Sequence, residues 1–180
     1  MEKLATESRA TLILLEYHIK SGSDNYWTAE TLERKNSYNI IGTPAVVLNG
    51  AAGEKTLYGI TTSSRYKSEI DKIIGQKSQV YIDATINENN RMAANVRLTN
   101  VSEEALENLE LFAVVYQDMG QSQYHYVVKD LTPTIFISLL DSGATTSYEL
   151  ASSIDISADR HMVVILKSAY NLVLQAFEIS

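Results

Sequence analysis

Apolar and polar residues alternate through much of the second part of the chain, which is the pattern of strands with one buried face. Val80, Ile82, Ala84 and Ile86 share one face of a first strand, and a turn is predicted at Glu88-Asn89-Asn90. The remaining predicted strands are Ala94–Leu98, Leu109–Val115, Tyr124–Lys129, Thr134–Ser138, Ser147–Ile154, Met162–Lys167 and Leu172–Phe177.

These strands are short and evenly spaced by turns. About eight such strands over roughly 100 residues predict a two-sheet antiparallel β-sandwich of immunoglobulin-like type. Only the architecture is inferred, because the Cys…Trp…Cys spacing of antibody domains is missing.

The first part of the chain mixes helix and strand signals. Thr11–Ile19 is a compact apolar run typical of a buried strand, and a loop is predicted over residues 21–25. Thr28 is suited to cap a helix over about Ala29–Tyr38. Further along, the sequence predicts a hairpin with strands at Ala45–Leu48 and Thr56–Tyr58 and a turn at Asn49-Gly50. A second helix is predicted to begin after a cap at Ser63 or Ser64, to run to about Ile74 and to stop at Gly75.

Composition narrows the function classes. The 180 residues carry a formal net charge of -7, which disfavours a general nucleic-acid binder. No apolar run is long enough to span a membrane, and the polar Met1–Arg9 segment is not a secretion signal. The chain contains no cysteine, so it forms no disulfide and holds no thiolate metal site.

One segment carries a family resemblance. Residues 38–48, Tyr-Asn-Ile-Ile-Gly-Thr-Pro-Ala-Val-Val-Leu, resemble the distal half of a thioredoxin-like domain, where a cis-proline precedes a strand. Together with Glu16-Tyr17-His18, Asn49-Gly50 and Val173-Leu174-Gln175-Ala176, they resemble bacterial envelope proteins that join such a domain to a C-terminal β-sandwich. The resemblance implies a location outside the cytoplasm, in the periplasm or secreted.

The chain departs from this family at its start. The segment that carries a CxxC motif is missing, and with it the strand that normally lies between the strands corresponding to Thr11–Ile19 and Ala45–Leu48. Three explanations stay open: a fragment of a longer redox protein, direct pairing of the two strands, or a second protomer that covers the sheet edge. We favour a truncated start, with a homodimer through the incomplete sheet.

The resemblance also suggests binding residues. In thioredoxin-like proteins the backbone beside the cis-proline pairs with an extended peptide, so Thr43 and Pro44 are candidate peptide-binding residues. Without the cysteine pair, a purely conformational role of this proline is the more common case. Tyr26 and Trp27 precede a helix, where they either contact a partner or pack back on that helix.

Other candidate residues point to ordinary structural roles. His18 is typical of a structural or solvated histidine at a strand end, and His125 and His161 lie far from it in sequence. No metal or cofactor site is expected, because no ligand spacing, phosphate loop or nucleophile elbow occurs. The acidic groups Glu30/Glu33 and Glu103/Glu104/Glu107 are predicted to be solvated.

The sequence therefore predicts an α+β chain. Residues 1–78 are expected to form an incomplete thioredoxin-like unit and residues 79–180 an immunoglobulin-like β-sandwich. The leading functional hypothesis is a non-catalytic binding or structural protein with a protein or peptide partner. The alternative is the C-terminal fragment of a thiol–disulfide oxidoreductase whose CxxC motif lies upstream of this chain.

Overall fold

A computed structural model describes residues 12–20, 22–50, 56–59, 62–120 and 124–179. Within these ranges the helices are α1 (Ala29–Ser37) and α2 (Ser63–Ile74). The strands are β1 (Ala45–Val47), β2 (Thr56–Tyr58), β3 (Val80–Asn87), β4 (Asn90–Asn100), β5 (Leu106–Gln117), β6 (Val127–Leu131), β7 (Ile135–Leu140), β8 (Thr145–Ala151), β9 (Arg160–Ser168) and β10 (Val173–Ile179).

The strands from β3 to β10 form two antiparallel sheets that pack face to face. One sheet has the order β3-β4-β8, and the other has the order β10-β9-β5-β6, with β7 also pairing with β5. The core between them contains the alternating residues that the sequence predicted, such as Ile82, Val96 and Leu111, all at most 2% exposed. The predicted antiparallel sandwich is therefore the main architecture of the chain.

The predicted α+β class is wrong. Strands account for 46% of the structure and helices for 13%, so the chain is mostly β. The predicted incomplete thioredoxin-like sheet does not form in the described residues either, because residues 12–19 do not pair with β1. Thr11, the first residue of that predicted strand, and Ser21, in the predicted loop, lie outside the described residues.

The segment over residues 12–19 instead lies on the outer face of the five-stranded sheet. It makes one parallel bridge, between Glu16 and Val127 of β6, through hydrogen bonds of 2.8 and 3.0 Å. Its alternate residues Ile13, Leu15 and Tyr17 pack against a second apolar cluster on that face. The buried members of this cluster are Phe112, Val114, Tyr116, Val128, Val163 and Ile165.

This packing follows from the composition of β5 and β9. Residues 111–116 read Leu-Phe-Ala-Val-Val-Tyr, so both faces of β5 are apolar and both must be removed from water. The inner face is covered by the opposite sheet and the outer face by residues 13–17. The apolar alternation at Ile13, Leu15 and Tyr17 therefore serves the sandwich and not a separate sheet.

The two helices and the β1-β2 hairpin lie before the sandwich in sequence. Thr28 caps α1, as predicted, by accepting a hydrogen bond from the Thr31 backbone N–H at 3.2 Å. The cap of α2 is Thr62 and not Ser63 or Ser64, while Gly75 ends the helix as predicted. A small third cluster joins the hairpin to α2 through Leu48, Leu57, Tyr66 and Ile70.

The predicted hairpin is present, with Ala45–Val47 paired to Thr56–Tyr58. The connection over residues 51–55 lies outside the described residues. Asn49 and Gly50 of the predicted turn both have positive φ angles, 50° and 68°. The first sandwich strand begins at Val80. The predicted division of the chain into two domains, residues 1–78 and 79–180, stays a prediction.

Candidate functional site

The outer faces of the two sheets differ in their cover. Residues 13–17 cover the five-stranded sheet, whereas the outer face of the β3-β4-β8 sheet carries exposed polar side chains. The strand register arranges these side chains in three rows across the sheet. The rows are Tyr81–Thr99–Thr145, Asp83–Arg97–Ser147 and Thr85–Asn95–Glu149.

A shallow depression of about 360 Å³ lies over the second and third rows. Its outward-pointing lining consists of hydroxyl, amide, guanidinium and carboxylate groups from all three strands. These residues are Asp83, Thr85, Asn95, Arg97, Ser147 and Glu149. We call this surface, together with Tyr81 in the adjoining row, the polar face.

Part of the polar face is held by its own contacts. Arg97 Nη2 lies 2.7 Å from Asp83 Oδ2, in an ion pair whose side chains are both about half exposed. Asn87 Nδ2 donates to Glu149 Oε2 at 3.1 Å, and the Thr99 and Thr145 hydroxyls lie 2.9 Å apart. These contacts fix the orientation of the charged groups, although exposed pairs of this kind stabilise a fold only weakly.

Other side chains of the polar face are exposed and have no protein partner among the described residues. Thr85, Asn95 and Ser147 make no side-chain hydrogen bond within the described part of the chain. Together they offer two hydroxyl groups and one amide, each able both to donate and to accept. Tyr81 adds an aromatic ring that is 57% exposed. The polar face thus combines oriented charges, free hydrogen-bonding groups and one flat apolar surface.

A second group of side chains surrounds His18. His18 Nδ1 lies 2.8 Å from Asp24 Oδ2, and Asp24 Oδ1 accepts the Tyr26 backbone N–H at 2.8 Å. The His18, Tyr26 and Tyr124 rings lie edge to face or tilted, with centroids 5.0 to 5.4 Å apart. Lys129 Nζ stands 4.7 Å from the centre of the Tyr26 ring. We call this group the histidine cluster.

The pKa values of two groups in the histidine cluster are shifted by their surroundings. Burial raises the pKa of Asp24, but the hydrogen bonds from Tyr26 and His18 outweigh this and leave that pKa below its ordinary value. Burial, with the nearby Arg160 charge, lowers the pKa of Lys129. Asp24 joins His18 to the backbone of Tyr26 within the segment before α1. The Tyr124 ring, packed against His18 and Tyr26, connects this segment to the entry of β6.

Part of this cluster was predicted from the sequence. Tyr26, a predicted partner contact, is a half-buried member, and its neighbour Trp27 is half-buried with Lys20 Nζ 5.1 Å from its ring. Their predicted contact with a partner stays a prediction. Asp24 and Tyr124 were not predicted to be functional residues. Tyr124 lies about 100 residues from His18, so no local pattern connects the two.

Thr43 and Pro44 lie at the exposed start of the hairpin. The bond between them is cis, and the Pro44 carbonyl accepts the Gly59 backbone N–H at 2.8 Å, next to the β1-β2 ladder. One hydrogen-bonding group beside the proline is thus already used within the chain. Peptide binding at Thr43 and Pro44 stays a prediction.

The three histidines do not come together. His125 Nδ1 lies 3.3 Å from Asp118 Oδ1, and the His161 ring stacks on Tyr116 with centroids 5.1 Å apart. Within the described ranges, no three His, Asp or Glu side chains are placed to hold a metal ion. None of the helices described there is both long and apolar enough to cross a bilayer.

The fold and the polar face can be compared with those of known proteins. No family model and no curated protein matches the chain. Similar solved structures include a domain of the outer membrane lipoprotein Omp28 from Porphyromonas gingivalis, with a TM-score of 0.39 and 12% identity over 58% of this chain and 89% of that one. Another is the ligand binding region of serine-glutamate repeat protein A of Enterococcus faecium, with a TM-score of 0.31 and 7% identity over 55% and 88% of the two chains.

A third similar structure is a beta-glucuronidase from glycoside hydrolase family 2. Its TM-score is 0.34 and its identity 14%, and the match covers 57% of this chain but only 11% of the enzyme. Scores and identities at this level carry no inference about the activity of this chain. The case for a function therefore depends on the surface chemistry of the chain itself.

Proposed function

We propose that this chain is a non-catalytic binding module whose ligand contacts the polar face. The observation that carries the proposal is the difference between the two outer faces of the sandwich. One is covered by residues 13–17, with Arg34 of α1 over the Phe112 ring. Within the described part of the chain the other is open, slightly concave and lined by hydrogen-bonding groups from three strands. A rigid sheet holds such groups in fixed positions, which favours recognition.

The chemistry of the polar face favours a neutral, hydroxyl-rich ligand such as an oligosaccharide. Hydroxyl, amide and carboxylate groups exchange hydrogen bonds readily with sugar hydroxyls, directly or through water. The exposed Tyr81 ring provides a flat surface for the C–H face of a sugar ring. The depression carries the carboxylates of Asp83 and Glu149 against one guanidinium, so an acidic ligand is disfavoured.

A location outside the cytoplasm belongs to the same proposal. It is supported by the resemblance of residues 38–48 to bacterial envelope proteins. The lack of cysteine is compatible with an oxidising compartment. Fractionation of cells that produce the native protein into cytoplasm, periplasm, membranes and medium tests this location, and recovery in the cytoplasm alone contradicts it.

The binding proposal is tested with a glycan array that holds neutral, sialylated and uronic-acid oligosaccharides. A neutral oligosaccharide identified on the array is then titrated by calorimetry. We expect Asn95→Ala and Tyr81→Ala each to weaken binding by about tenfold, as the loss of one well-placed contact does. Lys67→Ala on the exposed surface of α2 is the control and keeps full affinity.

Two results overturn the proposal. Binding of no oligosaccharide on the array excludes the ligand class. Equal affinity of Asn95→Ala, Tyr81→Ala and the control places the ligand elsewhere on the chain.

A further inference from the structure

The Asn49-Gly50 turn after β1 places an asparagine amide next to a backbone nitrogen that no side chain shields. Asn49 is the only asparagine of the chain that precedes a glycine, so the Gly50 nitrogen can approach the Asn49 side chain without steric hindrance from its own residue. Both residues are half-buried and have positive φ angles, 50° and 68°. The turn therefore stays accessible to water.

The two neighbouring groups of this turn are not engaged in other contacts. Neither the side-chain amide of Asn49 nor the backbone N–H of Gly50 forms a hydrogen bond with the residues that the structure describes. The exposed Asn95 amide is similarly free, but the residue after it is the β-branched Val96, whose backbone lies between two paired strands. Asn49 thus combines a free amide with an unhindered neighbour, and Asn95 does not.

These groups permit a reaction that needs only water. The Gly50 nitrogen loses its proton and attacks the Asn49 side-chain carbon Cγ, and the side-chain nitrogen leaves as ammonia, which closes a succinimide ring. Water then cleaves one of the two ring bonds to the Gly50 nitrogen. Cleavage at Cγ gives aspartate, whereas cleavage at the backbone carbonyl carbon gives isoaspartate, whose main chain runs through the former side chain. Because the first step removes a proton, the rate rises with pH.

Isoaspartate does not fit the contacts that hold this turn. The Asn49 carbonyl accepts the Val173 backbone N–H at 3.0 Å, and a Cβ atom added to Gly50 would lie 2.6 Å from the Asn171 carbonyl oxygen. The isoaspartyl main chain is longer by one carbon atom, so Gly50 has no room to keep its place. We propose that Asn49-Gly50 is a spontaneous deamidation site of the folded chain, and that the isoaspartyl product separates the β1-β2 hairpin from the start of β10. This modification is independent of the polar face.

The proposal is tested by incubating the folded full chain at mildly alkaline and mildly acidic pH, followed by peptide mapping with mass spectrometry. We expect progressive loss of the Asn49 amide, faster at the higher pH, with aspartate and isoaspartate as products. Electron-transfer fragmentation distinguishes these two products, which have the same mass. Asn95 is the internal control and keeps its amide over the same time. An Asn49 that keeps its amide in the folded chain, or that reacts only in urea, overturns the proposal.

Hydrogen exchange measures the structural consequence. In the isoaspartyl form, separated by chromatography, the Val173 N–H should exchange about tenfold faster or more than in the unmodified chain, because it loses its acceptor. Asn49→Gly accepts the positive φ angle and contains no amide that can react, so its Val173 N–H should exchange at the same rate before and after incubation. Unchanged exchange at Val173 in the isoaspartyl form overturns the proposed separation of the hairpin from β10.

Discussion

Asp130 of β6 accepts the hydroxyl hydrogen of Ser152 at 2.6 Å, and this bond joins the two sheets of the sandwich. Ser152 follows β8, so the contact links an edge strand of one sheet to the end of an edge strand of the other. Asp130 also accepts from the backbone N–H and the hydroxyl of Ser153, at 2.8 and 3.0 Å. A carboxylate with 5% exposure is thus satisfied by three donors from one turn.

Removing this carboxylate should destabilise the sandwich. Asp130→Ala leaves the Ser152 and Ser153 donors without their acceptor, and we expect the free energy of unfolding to fall by about 3 kcal/mol. The exposed Asp141→Ala serves as a control and should change it by less than about 0.5 kcal/mol. Urea denaturation followed by circular dichroism measures both, and equal effects would show that the cross-sheet link is dispensable.

Gly50 follows β1 in the β1-β2 hairpin and contacts the chain at the start of β10. Its φ angle is +68°, and a Cβ atom added there would lie 2.6 Å from the Asn171 carbonyl oxygen and 2.8 Å from Val173 Cγ2. Gly143 has a φ angle of +71° but no atom within 4 Å of the added Cβ. Gly143→Ala should cost about 1 kcal/mol from backbone strain alone.

Gly50→Ala should cost about 2 kcal/mol more than Gly143→Ala, since it adds a clash with the Asn171 carbonyl oxygen and the Val173 side chain to the same strain. Thermal and urea unfolding of the two variants give this difference directly. If both alanine variants are equally stable, the contact between Gly50 and residues 171–173 does not contribute to folding.

Tyr17 makes the stability of the chain sensitive to alkaline pH. Burial raises its pKa well above the ordinary value of 10.0, so the unfolded chain releases this proton more readily than the folded one. The resulting stabilisation is complete below about pH 10 and is lost as the pH rises further, by up to about 1.4 kcal/mol per pH unit. Tyr17→Phe removes this loss.

The measurement compares the free energies of unfolding of the natural chain and Tyr17→Phe between pH 8 and pH 11, a range chosen around the ordinary tyrosine pKa of about 10. The difference should shift in favour of the variant as the pH rises. Tyr170→Phe, at a side chain that is 92% exposed, is the control and should follow the natural chain. Parallel curves for all three proteins would mean that Tyr17 ionises freely in the folded state.

Lys167 of β9 is nearly buried beside Glu110 of β5, with Nζ 2.7 Å from Glu110 Oε2 and side chains that are 5% and 27% exposed. Asn171 Oδ1 accepts a further hydrogen bond from the same ammonium group at 2.9 Å. Glu110→Ala leaves the ammonium group without its carboxylate and should lower the free energy of unfolding by about 2 kcal/mol, a value reduced for the partial exposure of Glu110.

The double substitution Glu110→Leu with Lys167→Met should be closer to neutral, because no unpaired charge remains buried. Urea denaturation of the single and double variants gives the coupling between the two residues. A double variant that is less stable than Glu110→Ala would show that the ion pair itself, and not the avoidance of a lone charge, stabilises this face.

Most of the sandwich could be predicted from local sequence pattern, because apolar and polar residues alternate along a strand that has one face in the core and one face in solvent. Val80, Ile82, Val96 and Leu98 are all at most 2% exposed in the core, as expected from their period of two. Helix α1 was predicted for a similar reason, since Thr28 has the chemistry of an N-cap. In these cases each residue's role depends on near neighbours in sequence.

The roles of residues 12–19 depend on partners that are distant in sequence, and for these residues the prediction was wrong. An apolar alternation such as Ile13, Leu15 and Tyr17 suits any extended segment on an apolar surface, so the pattern does not identify that surface. A signal was nonetheless present in β5, where Phe112 and Val114 make the second face apolar as well. The polar face likewise depends on strand order and register, which bring Asp83, Arg97 and Ser147 side by side from three separate strands.

Residues 13–17 limit where a shortened form of this protein can begin, because they cover the outer face of the five-stranded sheet. A protein that starts at residue 79 would place the outer side chains of β5, β6 and β9 in water, six of them at most 8% exposed in the full chain. Contiguous apolar surface of this kind promotes aggregation. The shortest soluble portion that contains the sandwich should therefore begin before Ile13, so that the early residues act as a built-in solubility factor for the strands that follow.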